Sequence, residues 1–182
     1  MANSQCILEM KIAITGKMCS GKSTVANILL ERDQRFKIYS FGQKVKDVAK
    51  DLFDMKVKDR SLLTSIGTKM REINPDVWIN YVLKQTEDQT HCIVDDLRYQ
   101  NEYFALSNAG FKIIQLKIDP EVQERRIRQN YPENYQDHLK NRDHLSERNE
   151  FFWINNDNPL IIDSGKETID TIMDKINSFI QE

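Results

Sequence analysis

The segment Gly16-Lys17-Met18-Cys19-Ser20-Gly21-Lys22-Ser23 has the residue types and spacing of a phosphate-binding loop. It fits the pattern GxxxxGK[ST], in which backbone N–H groups form a nest for an anion and the following helix adds the positive end of its dipole. In such a loop Lys22 reaches the β- and γ-phosphates of ATP, and the Ser23 hydroxyl can bind Mg²⁺. Thr24 lies where its N–H or hydroxyl could meet the α-phosphate. The sequence therefore predicts an ATP and Mg²⁺ site made by Gly16, Lys17, Cys19, Ser20, Gly21, Lys22, Ser23 and Thr24.

A second group of residues that could bind a metal or phosphate or transfer a proton is Asp95-Asp96-Leu97-Arg98, at the end of an apolar segment. A carboxylate at the carboxyl end of a strand beside a phosphate loop can hold Mg²⁺ or its waters, or take the proton of an acceptor. Arg98 could clamp a phosphate with two hydrogen bonds. A surface turn held by a salt bridge would use the same residue types, so the spacing leaves both interpretations open.

Several arginines follow one another later in the chain. Arg125, Arg126 and Arg128 lie on one predicted helix, and Arg142 comes after it. Arg125 and Arg128 are three residues apart and so share a helix face. In a phosphoryl-transfer enzyme such arginines can close over the triphosphate and stabilise the charge of the transition state. Neighbouring acidic residues nearly balance their charge, which also fits a solvated helix face.

The elements that must position these residues alternate between strand and helix. Short apolar runs predict strands at 11–15, 36–41, 91–95, 111–118 and 160–162. Apolar residues at helical spacing predict helices at 22–32, 44–53, 61–72, 76–86 and 102–109, one beginning after Asp119-Pro120, and a terminal helix through residue 180. Strands separated by helices favour right-handed crossovers and a mostly parallel sheet covered on both faces.

Composition sets limits on the class of protein. The chain has 182 residues, 40% of them hydrophobic and 30% charged, which is typical of one folded domain. A net charge of −2 disfavours binding to duplex nucleic acid, and no apolar run is long enough for a membrane span. The N-terminus lacks the pattern of a secretory signal, and the three cysteines form no CxxC pair. We therefore expect a cytoplasmic protein with free thiols and no zinc site.

Four segments together resemble a known family. The phosphate loop is the least specific of them. Residues 41–46, FGQKVK, look like the family's FADPLK; Arg60 through Trp78 looks like R-x-LL-x-x-IGT…R…PDVW; and residues 96–102, DLRYQNE, look like DVRFPNE. The chain thus resembles the P-loop nucleoside and deoxynucleoside monophosphate kinases, especially those of phages and bacteria. Gly42-Gln43, Val45 and Gln100 depart from the pattern, which affects the expected base selectivity more than the reaction.

The resemblance implies a fold, a reaction and a set of residues. The fold is a single three-layer α/β P-loop kinase domain over residues 1–182, with a five-stranded parallel sheet, an acceptor-binding helical insertion at about 42–87 and a lid at about 125–149. The reaction moves the γ-phosphoryl group of ATP to a nucleoside 5′-monophosphate, a small-molecule partner; a homodimer is compatible with the sequence. The implied acceptor-binding residues are Phe41, Lys46, Arg60, Arg71, Trp78 and Arg98, the metal ligands are Ser23 and Asp96, and the catalytic residues are Lys22, Asp96, Arg125, Arg128 and Arg142.

Two other functions fit the same sequence. P-loop kinases of phosphomevalonate or dephospho-coenzyme A also act on small acceptors. A nucleotide-binding module without catalysis is the alternative from another class, although the chain has no NKxD-type guanine motif.

Overall fold

Five parallel strands form one sheet in the computed structural model, which describes residues 9–140, 142, 147 and 158–181. The spatial order is β2-β3-β1-β4-β5, and each neighbouring pair is parallel. The strands are β1 (Met10–Gly16), β2 (Lys37–Tyr39), β3 (His91–Leu97), β4 (Lys112–Lys117) and β5 (Leu160–Asp163).

Helices occupy most of the connections between the strands. They are α1 (Lys22–Arg32), α2 (Phe41–Phe53), α3 (Arg60–Ile73), α4 (Val77–Thr86), α5 (Gln100–Asn108), α6 (Pro120–Asn130), α7 (Tyr135–Lys140) and α8 (Ile169–Gln181). Parallel strands require such crossovers, because the chain must return to the same end of the sheet before each new strand. No helix among the described residues has both the length and the apolarity needed to cross a membrane.

Both faces of the sheet are buried, as alternating side chains of a strand require. In β1, Ala13 packs into one core while Ile12 and Ile14 pack into the other. In β3, Val94 and Ile93 divide in the same way. The first core contains residues from α2, α3, α4 and α5, and the second contains residues from α1 and α8. This three-layer α/β arrangement confirms the predicted fold class.

The carboxyl ends of the three central strands lie side by side. Thr15 of β1 is in register with Leu97 of β3, and Gly16 is in register with Leu116 of β4. The phosphate loop, the two aspartates and the connection into α6 therefore meet at one edge of the sheet, where open α/β sheets bind ligands.

The structure corrects several predicted element boundaries. β2 ends at Tyr39, and Phe41 begins α2 instead of ending a strand. β3 continues to Leu97, so Asp95 and Asp96 both belong to the strand. The predicted insertion contains α2, α3 and α4, and the predicted lid contains part of α6 and all of α7. Residues 141, 143–146, 148 and 149 of that lid lie outside the described residues.

Candidate active site

The phosphate loop depends on glycine at its first position. Gly16 has φ +153°, and a Cβ placed there would lie 2.5 Å from Ser20 Oγ and 2.6 Å from the backbone oxygen of Leu116. Gly21, immediately before α1, has φ +96° but open space around it. Cys19 adopts the left-handed region at φ 61° without being glycine. The loop thus turns sharply between β1 and α1, and Gly16 is fixed by close packing as well as by conformation.

Side-chain donors hold four successive carbonyl groups of the loop, those of residues 16–19. Lys22 Nζ donates to the first two, at 2.7 and 3.0 Å. Gln123 Nε2 donates to the third at 3.0 Å, and Arg126 Nη1 donates to the fourth at 3.2 Å. These bonds fix the orientation of the peptide planes, and a fixed set of backbone dipoles is what a phosphate nest requires.

Lys22 is partly buried, and this changes its acidity. Burial and, to a smaller extent, the positive charge of Arg98 lower the pKa of its amine to about 8, against the opposing effects of nearby Glu147, Asp96 and Asp95. At neutral pH the amine is still mainly protonated. Lys22 therefore brings a poorly solvated positive charge to the loop, which favours interaction with an anion.

Asp95 is the carboxylate that lies beside Ser23. The Ser23 hydroxyl donates to Asp95 Oδ2 at 3.4 Å. Burial raises the pKa of Asp95, and the negative charge of Asp96 raises it further. A partly buried carboxylate next to a hydroxyl is a suitable pair of oxygen ligands for Mg²⁺, which takes few ligands from protein and keeps several waters. Ser23 and Asp95 fit the metal that the loop motif implies.

Asp96 faces the other side of the strand and holds the start of α2. Its oxygens accept hydrogen bonds from Ser40 Oγ at 2.7 Å and from the N–H groups of Phe41 at 2.9 Å and Gly42 at 2.8 Å. A carboxylate at this position also matches the positive end of the α2 dipole. The geometry thus reverses the sequence-based preference: alternation along β3 turns Asp95 toward Ser23 and Asp96 toward α2.

Four cations gather next to the loop. The guanidinium of Arg98 pairs with Glu147, whose Oε2 accepts a hydrogen bond from the N–H of Met18 at 2.6 Å. Lys58 is an exposed residue of the connection between α2 and α3; desolvation lowers its pKa, and the charges of Arg60, Lys46 and Arg98 lower it further. Among the described residues neither Lys46 nor Lys58 forms an ion pair. We call Lys46, Lys58, Arg60 and Arg98 the basic cluster.

Arg60 links the basic cluster to α7. Its Nη2 lies 2.6 Å from His138 Nδ1, and its Nε lies 3.8 Å from Asp137. Burial lowers the pKa of His138, and the charges of Arg60 and Lys58 lower it further. His138 is therefore expected to be neutral at pH 7 and able to accept from Arg60. The sequence predicted Lys46, Arg60 and Arg98 but missed Lys58, whose only signal was its position two residues before Arg60.

The other three predicted acceptor residues are Phe41 and Trp78, which are buried, and Arg71, which is partly exposed. Phe41 is 4% exposed and Trp78 is 3% exposed, and both belong to the first core. Arg71 pairs with buried Glu102 at 3.2 Å, and its Nη1 and Trp78 Nε1 both donate to the carbonyl of Gly67. These contacts give Phe41 and Trp78 packing roles and give Arg71 a protein partner.

The arginine of α6 that reaches the phosphate loop is Arg126. Besides the loop carbonyl, its guanidinium donates to Ser164 O at 2.8 Å. Arg128 and Arg142 instead pair with Glu124, at 2.7 and 3.4 Å, and Arg125 is exposed. The geometry therefore does not bring the predicted Arg125, Arg128 and Arg142 to the loop. Helix phase explains this: Arg126 follows buried Gln123 by three residues and so lies beside it.

A cleft of about 310 Å³ opens over the carboxyl ends of β2 and β3. Asp95 and Lys46 both line it, and the rings of Tyr39 and Tyr81 form part of its wall. The cleft thus connects the proposed metal ligand to the basic cluster. Among the described residues, a larger depression of about 460 Å³ is lined by α6, on the face that carries Arg125 and Arg128.

Known proteins share this architecture. A putative kinase from Chloroflexus aurantiacus superposes with a TM-score of 0.60 at 17% identity, over 96% of this chain and 97% of that one. A sugar kinase from Janibacter sp. gives 0.60 at 12% identity, over 95% of both chains. A gluconokinase from Sinorhizobium meliloti gives 0.57 at 13% identity, over 96% and 93%. At these identities the likeness shows a common fold.

The sequence comparisons place the chain in a family. No curated protein sequence matches it significantly. A family model described as an AAA domain, AAA_18, matches residues 12–150, which is more than half of the chain. The finer resemblance to nucleoside monophosphate kinases stays a prediction. With its phosphate loop, five parallel strands and kinase neighbours, the chain belongs to the AAA_18 family of AAA domains and has a kinase-like P-loop fold.

Proposed function

We propose that this protein transfers the γ-phosphoryl group of ATP to the 5′-phosphate of a nucleoside or deoxynucleoside monophosphate. The observation that carries the proposal is the basic cluster, which adds four cations to the lysine of the phosphate loop. A reaction between two phosphate-bearing substrates must neutralise more negative charge than the donor alone brings.

The donor side of the reaction follows from the loop. Its ordered backbone and Lys22 bind the phosphates of ATP, and Ser23 with Asp95 would hold Mg²⁺. A Mg²⁺ ion held by these two residues would supply neutralisation of phosphate charge. Gln123 and Arg126 hold the loop through hydrogen bonds to two of its carbonyl groups. Little covalent help from the protein is needed, since positioning and charge stabilisation dominate phosphoryl transfer.

The acceptor side follows from the basic cluster and the cleft. Arg98 lies near both Lys22 and Lys58, so its guanidinium is suited to the space between the donor and acceptor phosphates. Lys46 belongs to the cluster and also lines the cleft, where Tyr39 and Tyr81 offer aromatic surface to the rest of the acceptor. A monophosphate with a ring system would place its phosphate at the basic cluster and its ring against the aromatic surface of the cleft.

A phosphorylation of a sugar is the second candidate, because a sugar kinase and a gluconokinase are among the structural neighbours. Arg98 and Arg60 of the cluster already have carboxylate partners, but a neutral sugar would bring no anion to Lys46 and Lys58, and gluconate would bring one carboxylate. The charge of the cluster therefore favours a phosphorylated acceptor, a class that also contains phosphomevalonate and dephospho-coenzyme A. The predicted cytoplasmic location and homodimer stay predictions.

The test is ADP release from ATP and Mg²⁺ over a panel of acceptors: ribo- and deoxynucleoside monophosphates, phosphomevalonate, dephospho-coenzyme A and gluconate. We expect at least one nucleoside monophosphate to be the best acceptor. Lys58→Met should raise the KM of that acceptor about tenfold and leave the KM of ATP within about twofold. Lys56→Met is the matched control, since Lys56 lies in the same connection but pairs with exposed Asp54. Phosphorylation of gluconate alone, or ATP binding with no product, would contradict the proposal.

A further inference from the structure

Glu102 is a buried carboxylate with three hydrogen-bond donors around it. It lies in the first turn of α5 and is 2% exposed. One oxygen, Oε2, accepts from the backbone N–H groups of Arg98 at 3.0 Å and Tyr99 at 3.1 Å. The other oxygen, Oε1, accepts from Arg71 Nη2 at 3.2 Å. Glu102 thus joins the end of β3, the start of α5 and α3.

The hydrogen bond from the backbone N–H of Arg98 to Glu102 fixes the backbone position from which the Arg98 side chain extends. Arg98 follows the last residue of β3, at the point where the chain turns toward α5. Its guanidinium extends from there to Glu147 and toward Lys22. A displacement of the backbone at this turn would move the guanidinium away from the phosphate loop.

The contact with Arg71 ties the same carboxylate to α3. The Arg71 guanidinium lies 4.5 Å above the ring of Tyr99, and its Nη1 donates to Gly67 O at 3.2 Å. Every one of these contacts is made with the protein framework around the turn. Arg71 is therefore placed to act as the counterion of Glu102.

We propose that Glu102 is a positioning residue that fixes Arg98 beside the phosphate loop, and that Arg71 serves Glu102 instead of binding the acceptor. This inference rests on the proposed function in one respect, namely that Arg98 meets phosphate. Removing the carboxylate loosens the turn and misplaces Arg98, whereas removing Arg71 acts on the substrate only through Glu102.

The electrostatic surroundings of Glu102 give the proposal a pH signature. Burial and, to a smaller extent, the charge of Asp96 on β3 raise the pKa of Glu102 to about 7, while the N–H groups of Arg98 and Tyr99 and the charge of Arg71 on α3 act in the lowering direction. Below about pH 7 the carboxyl group is mainly protonated, and its pairing with Arg71 is lost. Acceptor binding should weaken as the pH falls through this range.

The first experiment compares the KM of the acceptor in the wild type, Glu102→Gln and Glu72→Gln between about pH 6 and about pH 8.5. Glu72→Gln is the matched control, because Glu72 is the exposed neighbour of Arg71 and pairs with Lys69. The acceptor phosphate titrates near pH 6 in all three proteins, so the control removes its contribution. At about pH 8 we expect Glu102→Gln to raise the acceptor KM about tenfold, with the KM of ATP within about twofold. Equal acceptor KM values in Glu102→Gln and the control would overturn the proposal.

Arg71→Gln separates a positioning role from direct binding. Because Arg71 lowers the pKa of Glu102, its loss should move the acid limb of the acceptor KM to higher pH. A direct ligand of the acceptor would instead raise KM by the same factor at every pH, which would overturn the role given to Arg71.

A measurement without substrate keeps the inference independent of the proposed function. The carboxyl carbon of Glu102 can be followed by NMR in protein with isotope-labelled glutamate, and identified by its absence in Glu102→Gln. We expect titration near pH 7 in the wild type and at higher pH in Arg71→Gln. Titration near the ordinary glutamate value would overturn the inference even if nucleoside monophosphates are phosphorylated. Glu102→Gln is used in this measurement only to assign the signal.

Discussion

Lys22 is the residue whose charge matters most to the phosphate loop. With its pKa lowered to about 8 by burial, the amine loses its proton as the pH rises through that value. In the proposed function ATP binds the protonated form, so ATP affinity in the wild type should fall above about pH 8. Lys22→Arg keeps its charge and should show a flatter profile. Isothermal titration of ATP from about pH 7 to about pH 9.5 provides the measurement.

Removal of the charge gives the second half of the same prediction. Lys22→Ala should lower turnover by about a hundredfold or more, because a charge partner of the transition state is lost. Circular dichroism confirms that the variant is folded. Turnover within about threefold of wild type, or an identical pH profile for Lys22→Arg, would remove Lys22 from the site.

Asp95 and Asp96 are neighbours in sequence with different expected roles. Asp95→Asn removes the carboxylate beside Ser23, so it should lower Mg²⁺-dependent turnover strongly and change the free energy of unfolding little. Asp96→Asn weakens three bonds at the start of α2 and should destabilise the protein by about 1–3 kcal/mol. Turnover as a function of Mg²⁺ and denaturant unfolding measure the two effects.

The converse result is equally informative. If Asp96→Asn proved the more damaging change to Mg²⁺ dependence at unchanged stability, Asp96 would be the metal carboxylate, as the motif resemblance suggested. Two adjacent aspartates at a strand end point to opposite faces, and one sequence does not tell which face holds the metal.

At the scale of the element, α6 supports the phosphate loop with one face and exposes the other. Arg126→Ala removes a donor to the carbonyls of Cys19 and Ser164, so the loop loses part of its fixed geometry. We expect the KM of ATP to rise about tenfold. Arg125→Ala is the matched control on the adjacent exposed position and should stay within about twofold. Equal effects in the two variants would show that α6 does not hold the loop through Arg126.

Elements with strong apolar periodicity could be predicted, and those fixed by distant contacts could not. The bounds of α1 matched because Val25, Ala26 and Leu29 form a clear buried face. The start of α2 was missed because its N–H groups are satisfied by Asp96, more than fifty residues away in sequence. The phase of α6 was missed because its buried positions include a polar residue, Gln123, which no apolar pattern indicates.

The residues of the candidate site also divide into those that a local motif predicts and those that distant contacts determine. The phosphate loop is a local motif, so its residues could be named from spacing alone. Lys58 belongs to the site only because the chain between α2 and α3 brings it near Arg60 and Arg98. Arg71 matched the family motif, but it forms an ion pair with Glu102, which lies on another helix.

At the scale of the whole molecule, the fold brings Lys22 and the basic cluster to one edge of a protein whose net charge is −2, together with the carboxylates Asp95, Asp96 and Glu147. The order β2-β3-β1-β4-β5 puts the phosphate loop beside the end of β3, and α2, α3 and α7 bring the basic cluster and its partners to the same edge. This grouping of cations suits the binding of two phosphorylated small molecules at one edge.

The most direct test of the account follows the phosphoryl group itself. ATP with a labelled γ-phosphoryl group is incubated with the protein, Mg²⁺ and the best nucleoside monophosphate, and the products are separated by chromatography. The account predicts label in the nucleoside diphosphate, at a rate that falls at least about a hundredfold in Lys22→Ala. Label found only in inorganic phosphate, or retained in ATP with every nucleoside monophosphate, would contradict it.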